Sequence, residues 1–190
     1  HPMSSSDRPE PSQHSAAIQS ASGWTWPLGQ ADTVAFQGLP AFRAHVTALL
    51  QAAAQGRQDL VLCDPDYEAW PIGEATAVDA FNAWALAARH THAVIVAAQF
   101  DAWPRLHARW VRWRTPWAHR IRCLQAPHEL ANDLPRILLL PGRAGLEVLD
   151  AAQWRGVVTR EPVRLARLKE QTDAISQRSD DAFPPTLLGL

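Results

Sequence analysis

A chain of 190 residues suits one domain, and an apolar share of 47% is enough to build a sizeable core. The formal net charge of -1 excludes a global field that draws nucleic acid or anionic membrane, so any polyanion site must be a local patch. No apolar run reaches the roughly 18–20 residues that span a bilayer, which excludes a transmembrane helix.

Residues 1–22 are rich in Ser, Gln, Pro and Ala and lack periodicity. They read as a disordered lead-in to a single α/β domain over 23–190, with His1-Pro2 as a tag remnant ahead of Met3, the only methionine. Trp24, Trp26 and Leu28 alternate with Thr25 and Pro27, and Val34-Ala35-Phe36 follows, which predicts short extended segments. From Leu39 to Gln55 the period changes to that of a helix. Phe42, Val46, Leu49, Leu50 and Ala53 share one face, Pro40 suits the first turn and Gly56 suits a C-cap. Asp59 to Cys63 is a short buried strand, broken by Asp64-Pro65-Asp66.

A second helix is predicted over 74–90, with Val78, Phe81, Ala85 and Ala88 on its apolar face and Trp84 beside it. Ala93 to Ala98 is a continuous apolar run, the signature of a strand covered on both faces. Trp103, Leu106, Trp110 and Trp113 repeat at steps of three and four and predict a third helix over 103–114. Two more central strands follow, Ile121 to Leu124 and Arg136 to Leu140, the latter stopped by Pro141-Gly142. Leu146 to Leu149 and Arg155 to Val158 read as an antiparallel pair. A closing helix over 162–179 carries Leu165, Leu168, Thr172 and Ile175 on one stripe. Pro184-Pro185 stops it, and the apolar tail Thr186 to Leu190 docks on its own domain or on a second copy. Strand–helix alternation of this kind implies an α/β fold. The expected sheet is mixed but mostly parallel, with helices on both faces.

Three sets of residues carry candidate chemistry. Asp64 and Asp66 follow one strand and Asp101 follows the next, at the edge where open α/β sheets bind ligands. Close carboxylates there hold Mg²⁺ or share a proton; the plainer reading is turn formation by Asp-Pro-Asp and capping of the third helix by Asp101. Arg105, Arg109 and Arg112 form a stripe separate from the tryptophans, so the tryptophans read as core and the arginines as a solvated basic face with the footprint of a polyanion site. The histidines, His107 among them, are scattered at no metal-ligand spacing, and no metal or other cofactor is expected. Cys63 and Cys123 lie in apolar runs and read as buried thiols. Spacing does not decide whether they pair, and the absence of a cysteine framework fits a reducing, cytoplasmic setting.

Several features together resemble a known family. They are the helix ending in a small-residue stretch (Leu49 to Gly56), the strand leading to an acidic turn (Leu60 to Asp66) and the strand Val94 to Gln99. The helix bearing His107 and Arg109, the run Leu138-Leu139-Leu140 and a final helix carrying Gln177-Arg178-Ser179 complete the set. The chain resembles the degenerate, non-catalytic branch of the phospholipase D-like superfamily found in proteobacterial proteins. The resemblance implies a phospholipase D-like half as the fold. The active family uses a His-x-Lys motif with an Asp beyond it, in which the histidine attacks phosphorus and the lysine holds phosphate. Here the nearest match is His107-Ala108-Arg109, with no Asp at the corresponding place. The resemblance therefore implies a binding or interaction domain without catalysis, directed at a phosphorylated ligand, a protein partner or a second copy. Two alternatives stand beside it: a Mg-dependent phosphate-ester hydrolase using Asp64, Asp66 and Asp101, and a nucleic-acid-binding domain using the arginine stripe.

Overall fold

The computed structural model describes residues 26–185. The expected lead-in and the apolar tail lie outside the described residues. In chain order the elements are β1 (Thr33–Gln37), α1 (Leu39–Gly56), β2 (Leu60–Cys63), α2 (Ala75–Ala87), β3 (Ala93–Ala97), α3 (Trp103–Leu106) and α4 (Ala108–Arg114). A 3₁₀ turn over Thr115–Arg120 leads into β4 (Ile121–Gln125), and another over His128–Asp133 precedes β5 (Arg136–Leu140). Then come β6 (Ala144–Asp150), β7 (Arg155–Thr159), α5 (Pro162–Gln177) and β8 (Asp180–Asp181).

The strands form one mixed sheet in the order β1-β7-β6-β5-β2-β3-β4-β8. The α/β class, the mixed sheet and the helices on both faces match expectation. The expectation of mostly parallel pairing does not hold. Only β2–β3 and β3–β4 are parallel; the other neighbours, including β5 against β2, pair antiparallel. The reason lies in the connections. A helix bridges β2 to β3 and β3 to β4, whereas β5, β6 and β7 follow one another through short turns that reverse the chain.

Strand alternation sorts the core into two layers. Leu60, Leu62, Ile95, Leu138 and Leu140 face α1 and α2, where Phe42, Val46, Leu49 and Phe81 are fully buried. Each such aliphatic or aromatic side chain contributes about 1.5–3 kcal/mol. Cys63, Val96, Leu124, Ile137 and Leu139 face the other way, onto Leu165 and Leu168 of α5. Gly145 makes that approach possible, because a Cβ there would stand 3.1 Å from Leu168 Cδ1. Cys63 and Cys123 are free, buried in opposite layers and separated by β3, which answers the pairing question left open by spacing.

Local readings shift in four places. The segment 27–30 is a turn rather than extended. Helix α1 runs through Gly56 and is capped by Arg57 in the left-handed region, φ 53°, whose N–H reaches the Ala53 and Ala54 carbonyls. Helix α5 ends at Gln177, before the two prolines, because the chain returns as β8 to pair with Leu124 and Gln125. The expected helix over 103–114 is two short helices broken at His107. No helix of the described residues is long and apolar enough to cross a membrane.

Candidate functional site

The acidic turn after β2 is built around Asp64, which is completely buried. Its Oδ2 accepts the backbone N–H groups of Asp66 (3.1 Å) and Tyr67 (2.7 Å), an Asx turn that places Tyr67 at φ 58°. Its Oδ1 accepts from Arg136 Nη1 at 2.6 Å. Arg136 stands at this edge because antiparallel β5 begins beside the end of β2, with Ile137 opposite Cys63. Burial raises the Asp64 pKa. The Arg136 charge, the nearby Trp70 indole N–H, which falls short of hydrogen-bond geometry, and the Tyr67 N–H oppose that shift without cancelling it.

His107 closes the same unit from the other side. Its Nδ1 accepts the Gly73 N–H at 3.1 Å, so the ring proton sits on Nε2, which donates to the Tyr67 carbonyl at 3.0 Å. The helix break follows from this clamp. A Cβ at Gly73 would lie 2.7 Å from the His107 Cα, so the turn presses directly against the backbone between α3 and α4. Burial lowers the His107 pKa, and the Arg43 charge adds to that. A neutral imidazole with both nitrogens engaged has no lone pair left for attack on phosphorus.

The seven residues singled out by sequence therefore divide. Asp64 and His107 converge through Tyr67, but as a locked scaffold. Asp66 spends one oxygen on the Glu68 N–H. Asp101 is exposed and does not cap α3, whose N-cap is Ala102 without a side-chain bond. No three His, Cys, Asp or Glu side chains among the described residues come together as a metal site. Arg105, Arg109 and Arg112 are exposed, and none of their side chains makes a hydrogen bond or ion pair among the described residues. Exposed Arg122, Arg155, Arg167 and Arg178 are each paired with a carboxylate, whereas the side chains of exposed Arg57, Arg89 and Arg143 are unpaired among the described residues, as in the trio.

Sequence reasoning missed two other arginines. It separated tryptophan core from arginine face, and for Trp84, Trp103 and Trp110, each at most 1% exposed, the core reading holds. Yet Arg114 and Arg120 are buried too, at 2% and 6% exposure. Arg114 lies over Phe183 and Trp110, with 4.3 and 5.6 Å to the ring centroids, and Arg120 over Trp84 and Trp117 at 5.0 and 5.7 Å. The Arg120 guanidinium donates to the Ala85, Ala88 and Thr91 carbonyls and to Thr91 Oγ1, tying the end of α2 to the start of β4; its pKa is lowered by burial. The available signal was the spacing: Arg114 follows Trp110 by four residues, the separation that brings side chains together on a helix.

No protein-family model matches the chain, and no curated protein matches it. Solved structures do. TrmBL2, an archaeal chromatin protein described with a novel mode of DNA binding, superposes with a TM-score of 0.58 at 13% identity over 80% of this chain, which spans 54% of that one. Nuc from Salmonella typhimurium, a phospholipase D family member, gives 0.54 at 10% identity, covering 80% of this chain and 99% of its own. The polyphosphate kinase of Porphyromonas gingivalis gives 0.51 at 15% identity over 82% of this chain and 27% of that chain. At such identities the likeness concerns the fold alone, and that fold is the phospholipase D-like one.

Proposed function

We propose that this chain is a non-catalytic binding domain that recognises a phosphate-bearing ligand through the arginine face of α3 and α4. The observation that carries the proposal is the trio Arg105, Arg109 and Arg112, exposed and without carboxylate partners among the described residues. Arg109 and Arg112 lie on α4 and Arg105 on α3 across the break at His107, and guanidinium groups suit phosphate oxygens, which they contact in bidentate fashion. The three solved structures are named for DNA binding, the phospholipase D family and polyphosphate kinase, and phosphate is the chemistry those names share. A polymer of phosphates such as a nucleic-acid strand is the form of ligand that three spaced cations fit best. The hydrolase reading has less support, since Asp64 has both oxygens committed within its turn and to Arg136.

The test is binding of a labelled single-stranded oligonucleotide and of linear polyphosphate across a salt series. Three phosphate contacts give a log–log salt slope of about -2 to -3. Joint substitution of Arg105, Arg109 and Arg112 by Gln should remove the binding. Salt-insensitive binding, or binding the triple variant retains, would overturn the polyanion reading. Turnover of a phosphodiester by the purified chain, lost on His107→Asn, would overturn the non-catalytic one.

A further inference from the structure

A second site lies on the opposite side of α4 from the exposed stripe. A cavity of about 470 Å³ opens between the start of β4 and the segment after β8, lined by Arg114, Arg120, Arg122, Asp181, Ile121 and Phe183 among others. Three arginines face one carboxylate there, and Asp181 is already held by Arg122 at 2.9 Å. Arg114 and Arg120 have no carboxylate partner among the described residues.

Arg114 is the unusual member. A guanidinium offers five N–H groups. In Arg114 only Nη1 is used, donating to Cys123 Sγ (3.2 Å) and to the Phe183 carbonyl (2.7 Å). Nε is buried with no partner, and Nη2 makes no hydrogen bond among the described residues. Nη2 keeps accessible surface and is the group an anion in the cavity reaches, with Nε sealed beside it. A 98% buried cation with both of these nitrogens unpaired among the described residues carries a desolvation cost that an anion would offset. The rest of the lining is largely apolar, with Ile121, Phe183 and Pro184 nearby.

We infer that this cavity binds a small organic anion, one carboxylate or phosphate group on an apolar body, with the anionic group on Arg114 and the body against Ile121 and Phe183. The site does not depend on the polyanion reading of the exposed stripe.

Calorimetric titration of the full chain with benzoate, phenyl phosphate and inorganic phosphate tests it. Expected is one-to-one binding in which a phenyl-bearing anion is preferred over inorganic phosphate; whether benzoate or phenyl phosphate is tighter identifies the head group. Arg114→Lys keeps the charge and loses the fork, and should weaken binding roughly tenfold or more. Ala118→Leu narrows the cavity without touching an arginine and should weaken the phenyl anions more than inorganic phosphate. If Arg114→Lys fails to fold, Ala118→Leu decides alone. Absence of binding of all three anions up to about 10 mM, an affinity too weak to matter, would overturn the inference and leave Arg114 as an anchor for Phe183. So would affinities unchanged in both variants. The Gln variant at Arg105, Arg109 and Arg112 should keep this binding, and Ala118→Leu should keep polyanion binding, so the two proposals fail independently.

Discussion

Arg136 Nη1 lies 2.6 Å from Asp64 Oδ1, and this pair joins the acidic turn after β2 to the antiparallel strand that follows much later in the chain. Asp64 is wholly buried, and Arg136 is partly so, with 22% of its side chain exposed. Removing the cation leaves a buried carboxylate without a counter-charge. Arg136→Gln should therefore cost about 3–5 kcal/mol in denaturant unfolding at neutral pH. The pH dependence has a definite sign. The folded Asp64 pKa already lies above the unfolded value, so below it the carboxyl is neutral and the pair is absent from both proteins. The deficit of the variant should vanish as pH falls to that folded pKa and be complete only above the still higher Asp64 pKa of the variant, which has lost the cation. A deficit constant from acid to neutral pH would show that the pair is not its source.

His107 makes a second pH prediction, in a different window. Its folded pKa is depressed, so its share of stability is whole above the unfolded value of 6.5 and is lost as pH falls through the window below that, towards the folded pKa. NMR titration of the ring should give a midpoint below 6.5. His107→Ala strands the Gly73 N–H and the Tyr67 carbonyl and should cost about 2–4 kcal/mol, while flattening this part of the pH profile.

Gly156→Ala tests the β1–β7–β6 end of the sheet. A Cβ at position 156 would fall 2.1 Å from the Glu147 carbonyl oxygen and 2.7 Å from Phe36 Cζ. The first contact is with backbone of the paired strand and has no side chain to yield. Expected is a loss of about 3 kcal/mol or more, read as a lowered melting temperature.

Cys63 and Cys123 should resist alkylation in the folded protein and react once denatured. Burial pushes both thiols up, helped at Cys63 by the Asp64 charge and opposed at Cys123 by Arg114. Rapid native-state labelling of Cys63 would mean that the layer under α5 opens.

The exposed stripe should be cheap to remove. Replacing Arg105, Arg109 and Arg112 by Gln is expected to change unfolding stability by no more than about 0.5 kcal/mol. A larger loss would mean that these side chains support the fold and would undercut the reading of them as a ligand face.

Periodicity carried most of the fold. The four-and-three spacing of Phe42, Val46, Leu49 and Ala53 located α1, and the unbroken apolar run from Ala93 marked β3 as covered on both faces. Strand direction was less legible, because an apolar run such as Ile137 to Leu140 looks the same whether it enters a sheet parallel or antiparallel. Nor did the pattern show the break at His107, since Trp103 and Trp110 keep helical spacing on both sides of it and the cause is the distant Gly73. The candidate residues were found by type, but what each does depends on partners far away: Asp64 on Arg136, His107 on Tyr67 and Gly73. The burial of Arg114 and Arg120 was not legible because charge normally marks surface, and it is the stacked rings, the returning segment at Phe183 and, for Arg120, the acceptors at Ala85, Ala88 and Thr91 that make it tolerable.

The two-residue strand β8 has a consequence out of proportion to its length. It pairs with Leu124 and Gln125, and the Ala182 N–H adds a bond to the Cys123 carbonyl, so the outer rim of β4 is sealed from Cys123 onward. At the uncovered start of that rim Arg122 projects a charge. An unsealed β4 would offer a row of free peptide groups to any extended chain that met it, the usual starting point of strand-to-strand aggregation. The short return after α5 thus acts as a hem on the sheet, and loss of residues 180–185 should appear as insolubility, together with loss of the cavity wall that Phe183 supplies.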